Sequence, residues 1–237
     1  LFKKKKLGVI HGGIFGVTLM LWICIQFYMF PLNFMSTAYF IFGALQAVTG
    51  YAAAVFYKQE NFCVSKSDYP DIGTNGERLV VFFSRMGYVK NLAFEEANRT
   101  GADIYEIRST ERTAGTLGFW WCGRYGMHRW DMPIEPVTVD LAAYKHITIC
   151  SPIWVFELSP PVRAFCRQTA GKIKSVDCIL VHYQKRDYKN AAREIESILG
   201  VKCKSIRSVL CRTGKYKTVY EYSDSGKVLP QKVGSEL

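Results

Sequence analysis

At 237 residues and a formal net charge of +11, the chain has room for one large domain, or for one domain and an appendage. Its eight cysteines are scattered, with no CxxC pair and no His/Cys spacing suited to zinc. This argues against a zinc module and favours buried reduced thiols over disulfides or redox chemistry. Residues 7 to 57 carry no Lys, Arg, Asp or Glu, so the basic excess lies in an N-terminal cluster, the rest of the chain and the tail.

In chain order, Lys3 to Lys6 precede an apolar run from Leu7 to Phe30, long enough to cross a bilayer with some tilt. Pro31-Leu32-Asn33 breaks the pattern, and Phe34 to Tyr57 forms a second run closed by Lys58. A secretory signal peptide fits less well: the first run is too long, lacks a small-x-small cleavage site and is followed at once by a second apolar run. Residues 1–58 therefore read as a transmembrane hairpin with spans at about 7–30 and 34–57. Lysines flank its outer ends and none lies in the turn, which places both ends on the cytoplasmic side of a bacterial-type inner membrane. Gly12, Gly16, Gly43, Ala47 and Gly50 are small enough to let the two helices pack closely on each other. The chain opens on Leu1 rather than Met, so upstream spans stay open.

Residues 59–77 are polar, with Pro70, Gly73 and Gly76, and read as a linker. Leu79 to Phe83 is an unbroken β-branched and aromatic run, the composition of a strand buried on both faces. A glycine-bearing turn follows, then Val89, Leu92, Ala93 and Ala97 at helical spacing. Strand, turn and helix present backbone N–H groups and a positive dipole end, which suits a phosphate. Further strands are predicted at Ala102 to Ile107, Lys145 to Cys150, Val176 to Val181 and Val201 to Val209, with Ser151 to Ser159 as a loop. Helices are predicted near Leu117 to Tyr125, from Pro160-Pro161 to Gln168, and from an Asp187 cap to Leu199, stopped by Gly200. Residues 78–210 thus form an α/β domain, a doubly wound parallel sheet of five strands. Residues 211–237 read as a loosely ordered basic tail able to lie against anionic lipid.

LVVFFSRMG before a helix, GADIYEI, and DLAAYKHITICSPIWVFELSPPVRAF together resemble the flavodoxin family, in particular its short bacterial members. The likeness spans about Arg78 to Val209, and the pairing of Ser151-Pro152-Ile153-Trp154 with Pro160-Pro161-Val162-Arg163 is its most specific part. It implies a flavodoxin-like sheet with FMN at the carboxyl ends of the strands. On that likeness Ser84, Arg85, Met86, Gly87, Tyr88 and Val89 form the phosphate turn. Ser84, Arg85 and Gly87 match the family, whereas Met86, Tyr88 and Val89 stand where hydroxyl or amide side chains are usual. Trp154 would lie flat on the isoalloxazine, backbone groups of Ser151 to Val155 would face its edge, and Tyr183 would offer a second ring.

Taken with the membrane hairpin, which lies outside the likeness, the resemblance implies a membrane-anchored FMN protein, an electron carrier or oxidoreductase between a cytoplasmic donor and a membrane-side acceptor such as a quinone, in contact with the bilayer and a redox partner protein. The alternative is a module that kept the fold, lost the flavin and serves as a tethered binding subunit. No nucleophile or acid–base constellation assigns catalytic residues, no metal site is expected, and a membrane anchor explains the lysines better than a nucleic-acid surface. Thr116 to Trp130, TLGFWWCGRYGMHRW, interleaves three tryptophans with Arg124, His128 and Arg129. It reads as a lid, as a docking patch for a partner, an anionic substrate or lipid headgroups, or as an aromatic mini-core under a long loop.

Overall fold

The computed structural model describes residues 5–60, 65–212 and 215–223, which fall into two compact units, Leu1–Cys63 and Val64–Leu237.

The first unit is a pair of helices, α1 (Lys5–Met29) and α2 (Phe34–Glu60). Asn33 stops the chain after the Pro31 break and caps α2, its Oδ1 accepting from the Ser36 N–H at 2.9 Å. The helices meet through small residues. A Cβ on Gly16 would lie 2.6 Å from the Ala47 nitrogen, and one on Gly50 would lie 2.6 Å from the Gly13 Cα. Gly13 takes the role expected of Gly12, which has open space beside it. Among the described residues, α1 over Leu7–Met29 is long and apolar enough to cross a membrane. Lys3 and Lys4, at the head of the basic cluster, lie outside the described residues.

The second unit is an α/β layer structure. Its strands are β1 (Asn75–Phe82), β2 (Ala102–Glu106), β3 (His146–Trp154), β4 (Glu157–Leu158), β5 (Val176–His182), β6 (Cys203–Arg212) and β7 (Lys215–Ser223). Between them lie α3 (Tyr88–Thr100), α4 (Gly115–Met127), α5 (Pro160–Gln168) and α6 (Lys189–Leu199). The sheet order is β2-β1-β3-β5-β6-β7, with β4 paired to the end of β3. All neighbours from β2 to β6 are parallel. The five long parallel strands therefore follow the 2-1-3-4-5 order of flavodoxin-like sheets, with the switch of direction between β1 and β3.

Alternation along β1 explains the double layer. Leu79 and Val81 pack with Val162, Phe165 and Ile195 from α5 and α6, while Val80 and Phe82 pack with Val89, Ala93 and Ala97 of α3. A two-residue period on a strand apolar at every position requires a cover on both faces.

Three expectations are corrected. Among the described residues the sheet has seven strands instead of five, because the two-residue β4 folds back on β3, and Lys215–Ser223 pairs antiparallel to β6 and so belongs to no loose tail. Its alternation of lysine with half-buried tyrosine is that of an edge strand, where lysine discourages further pairing. The rest of the tail, 224–237, lies outside the described residues. The linker is shorter than expected: α2 runs to Glu60, Ile72 is buried, and β1 begins at Asn75. Finally, Ser151 to Trp154 is strand rather than loop, since β3 continues through it and turns back on β4.

Candidate functional site

The carboxyl ends of β1, β3 and β5 lie side by side, which follows from the parallel registers Phe82↔Cys150 and Pro152↔Val181. Three connections leave this rim: the turn after β1, the β3–β4 hairpin, and the segment after β5. They contain the residues the sequence proposed for binding.

In the first turn, Gly87 precedes α3 with φ 83°, a left-handed conformation that glycine adopts at little cost. No side chain caps α3, and its first turn holds no acidic residue. Among the described residues, nothing accepts from the N–H groups of residues 84 to 87. The Ser84 Oγ is buried and has no hydrogen-bond partner among the described residues. A buried hydroxyl left unpaired is costly, by about 1–3 kcal/mol. Together these groups form an anion-friendly turn at a helix N-terminus.

The remaining residues of the turn point elsewhere. Arg85 donates from Nη1 to the Gly115 carbonyl at 3.3 Å, and its guanidinium lies 5.3 Å from the Phe119 ring centroid. Burial lowers its pKa, and the nearby Cys122 opposes that shift. Arg85 thus clamps α4 instead of facing the turn. Met86 is half-buried. Tyr88 accepts at its carbonyl from the Tyr216 hydroxyl at 2.8 Å, which ties α3 to β7. The Val89 side chain is buried in the α3 face of the core, so only its backbone is left to meet a ligand.

The hairpin also differs from the expected open loop. The Ser151 Oγ is spent inside the fold, on the Ser159 Oγ at 2.9 Å and the Pro152 carbonyl. Pro152 pairs with Val181 on β5, Ile153 pairs with Leu158, and Trp154 pairs with Glu157. The backbone of this stretch therefore serves the ladders more than a ligand edge. Val155 and Phe156 form the tip at φ 49° and 68°. Both are in the left-handed region, the geometry of a two-residue type I′ turn, without the Asn-Gly that would accept it readily.

Trp154 is half-buried and meets Phe83 edge to face, centroids 5.4 Å apart at 85°. Phe83, one residue past β1, is thus a member of the rim that its place in the apolar run concealed. Tyr183 is 67% exposed and lies under Arg212, centroid distance 5.7 Å. Among the described rings it does not pair with Trp154. His182 is buried between the Gln184 carbonyl at 2.6 Å and the Ser208 Oγ at 2.7 Å, and so fastens the segment after β5 to β6.

Behind the hairpin, Arg163 is a fully buried cation. It donates to Glu194 at 2.6 Å and to the carbonyls of Leu158 and Trp130 at 3.2 and 3.4 Å. Arg129 adds a second cation to Glu194 and one to Glu157. The network joins α5, α6, the hairpin and the end of α4. The arginine of PPVR is therefore a structural anchor, not a ligand group.

No family model matches the chain, and no curated protein matches it. Solved structures do. A flavoprotein in complex with FMN from Lactobacillus acidophilus NCFM is 18% identical and aligns over 56% of this chain and 93% of its own, with a TM-score of 0.48. The NMR structure of its apo form is 15% identical over 56% of this chain and 92% of its own, TM-score 0.44. A Bacteroides uniformis protein assigned as a flavoprotein is 20% identical over 56% of this chain and 88% of its own, TM-score 0.48. The fold stands on the strand order of the sheet, not on these likenesses.

Proposed function

We propose that the chain binds FMN across the carboxyl ends of β1, β3 and β5 and passes electrons from a cytoplasmic donor to an acceptor at a bacterial-type inner membrane. A quinone is one acceptor of suitable chemistry. The observation that carries this reading is Ser84: a buried hydroxyl without a partner, in a turn of unclaimed N–H groups at the start of α3. A phosphate dianion is a ligand that would satisfy all of these donors at once. Bound FMN would supply the one- or two-electron chemistry. The chain's part is to hold it. Ser84 and the backbone of residues 84–87 would take the phosphate, and Trp154 and Tyr183 would flank the ring. The α1–α2 hairpin would keep the domain at the bilayer, with the lysines of the N-terminus and Lys58 on the cytoplasmic side.

A second reading has its own support. Arg85, the charged residue of the turn, is committed to Gly115 and Phe119. A flavin-free module that keeps the fold as a tethered binding subunit would need no more than this.

Purification separates the two. The full chain, extracted in detergent without added flavin, is expected to show the flavin absorbance bands or to take up FMN at micromolar concentration or below. Absence of binding at millimolar FMN sinks the redox reading and leaves the binding module. Trp154→Ala is expected to weaken FMN or shift its spectrum, and an unchanged spectrum and affinity would remove Trp154 from the site.

A further inference from the structure

The flavin reading leaves α4 unexplained, and α4 is built inside out. Gly118, Cys122 and Gly126 recur every four residues and form its buried face. A Cβ on Gly126 would sit 3.2 Å from Val155 Cγ2, and one on Gly118 would collide with the Thr113 backbone at 2.3 Å. Burial pushes the Cys122 thiol up to about 11, against the pull of Arg85. The large apolar residues point outward: Leu117 is 63% exposed, Trp120 70% and Met127 65%. A soluble helix normally turns its large residues in and its small ones out. Sustained exposure of such a stripe marks a surface that something covers.

The charge around the stripe says what. Residues 112–130 contain no Asp or Glu, and they carry Arg112, Arg124 and His128 besides Arg129, whose charge is met by Glu157 and Glu194. Arg124 lies 5.4 Å from the Trp121 ring centroid and 5.5 Å from that of Trp130. Trp121 in turn is anchored through its Nε1–H to Glu111 at 2.9 Å. A tryptophan with a guanidinium over its ring is an amphipathic pair suited to the headgroup layer, where the indole body meets acyl carbonyls and the cation meets phosphate. The same pairing recurs on the rim, with Arg186 over Phe156 at 5.2 Å. Only fourteen residues, 61 to 74, separate the end of α2 from the start of β1. Their reach is at most about 50 Å fully extended. A domain on so short a tether meets the bilayer surface at high effective concentration.

We propose that α4 is an interfacial helix that lays Leu117, Trp120 and Met127, together with Trp130 just beyond its end, on the surface of an anionic bilayer. The proposal rests on the membrane reading of α1 and is independent of the flavin.

The test uses the full chain carrying Trp22→Phe, which removes the tryptophan of α1. It is reconstituted into vesicles of equal parts phosphatidylcholine and phosphatidylglycerol, some lipids being brominated near the carbonyl end of the acyl chain. The expected result is bromine quenching of tryptophan fluorescence that is lost in Trp120→Ala/Trp130→Ala and weakened in vesicles of phosphatidylcholine alone. Near-ultraviolet circular dichroism checks that the double variant keeps its fold. If the chain resists alkaline carbonate extraction but its tryptophans are not quenched, the proposal fails and the α1 reading stands. The same holds if cysteine crosslinking at position 117 joins two copies instead, which would make the stripe a dimer face. Release of the chain by carbonate overturns both.

Discussion

On the proposed FMN reading, replacing Ser84 by alanine is expected to move folding stability and FMN affinity in opposite directions, and that opposition makes it the most informative single change. In the ligand-free protein the Ser84 Oγ is buried with no partner, so removing it relieves a desolvation cost of about 1–3 kcal/mol and leaves a methyl group in its place. A domain of this size gains about 2–4 °C in Tm per kcal/mol, so Ser84→Ala is expected to melt several degrees above the parent chain. In the FMN complex the same hydroxyl would donate to a phosphate dianion, a charge-assisted bond of about 1.5–3 kcal/mol. Its loss raises Kd by about 10- to 150-fold. The assays are a melt followed by tryptophan fluorescence without flavin, and a titration followed by quenching of FMN fluorescence. A Tm that falls shows that the hydroxyl had a partner after all. A Tm that rises with unchanged FMN affinity shows that the phosphate does not reach this turn.

The other predictions concern the frame around the rim. Burial holds the His182 pKa below 6.5, with the bond to the Gln184 carbonyl opposing it. The folded state therefore binds its proton less readily than the unfolded chain. Stability from this group is complete above about pH 6.5 and declines as pH falls from there toward the folded pKa, by at most about 1.4 kcal/mol per pH unit. His182→Asn should flatten that slope in melts recorded between about pH 5 and 7. Gly118→Ala places a methyl group on the Thr113 backbone and should cost about 1–3 kcal/mol. Gly123→Ala, with open space beside it, should gain about 0.5–1 kcal/mol in the same denaturation assay, and equal effects would refute the orientation assigned to α4. Val155→Asn with Phe156→Gly suits two positive-φ residues and should raise stability by about 1–2 kcal/mol; a loss would mean that the tip is held by contacts outweighing its strain.

Much of the framework was legible before any coordinates. The run Leu79–Phe83 is apolar at every position, which only a strand covered on both faces tolerates, and both faces are covered. Pro160-Pro161 and Gly200 mark helix ends through backbone restrictions that act locally: Gly200 sits at φ 71°, as a helix stop requires. The α3 stripe of Val89, Leu92, Ala93 and Ala97 is buried as its spacing predicts.

The turn after β1 shows where such reasoning stops. Its residue types identify a strand–turn–helix unit, because φ restrictions and hydrophobic periodicity are local properties. They do not say where Arg85 points. That depends on α4, which begins thirty residues later and offers the Gly115 carbonyl. Nor do they say that Ser151 is consumed by Ser159, or that Trp154 leans on Phe83, since each contact joins segments brought together by the sheet order. The edge strand β7 escaped for a similar reason: half-buried tyrosines between lysines resemble a solvated tail until β6 is there to pair with them. The sequence by itself determined the two units, the parallel sheet and the strand–turn–helix that opens it. Tertiary structure alone decided that this turn keeps Ser84 unpartnered while surrendering Arg85, because partners far apart in the chain compete for the same side chains.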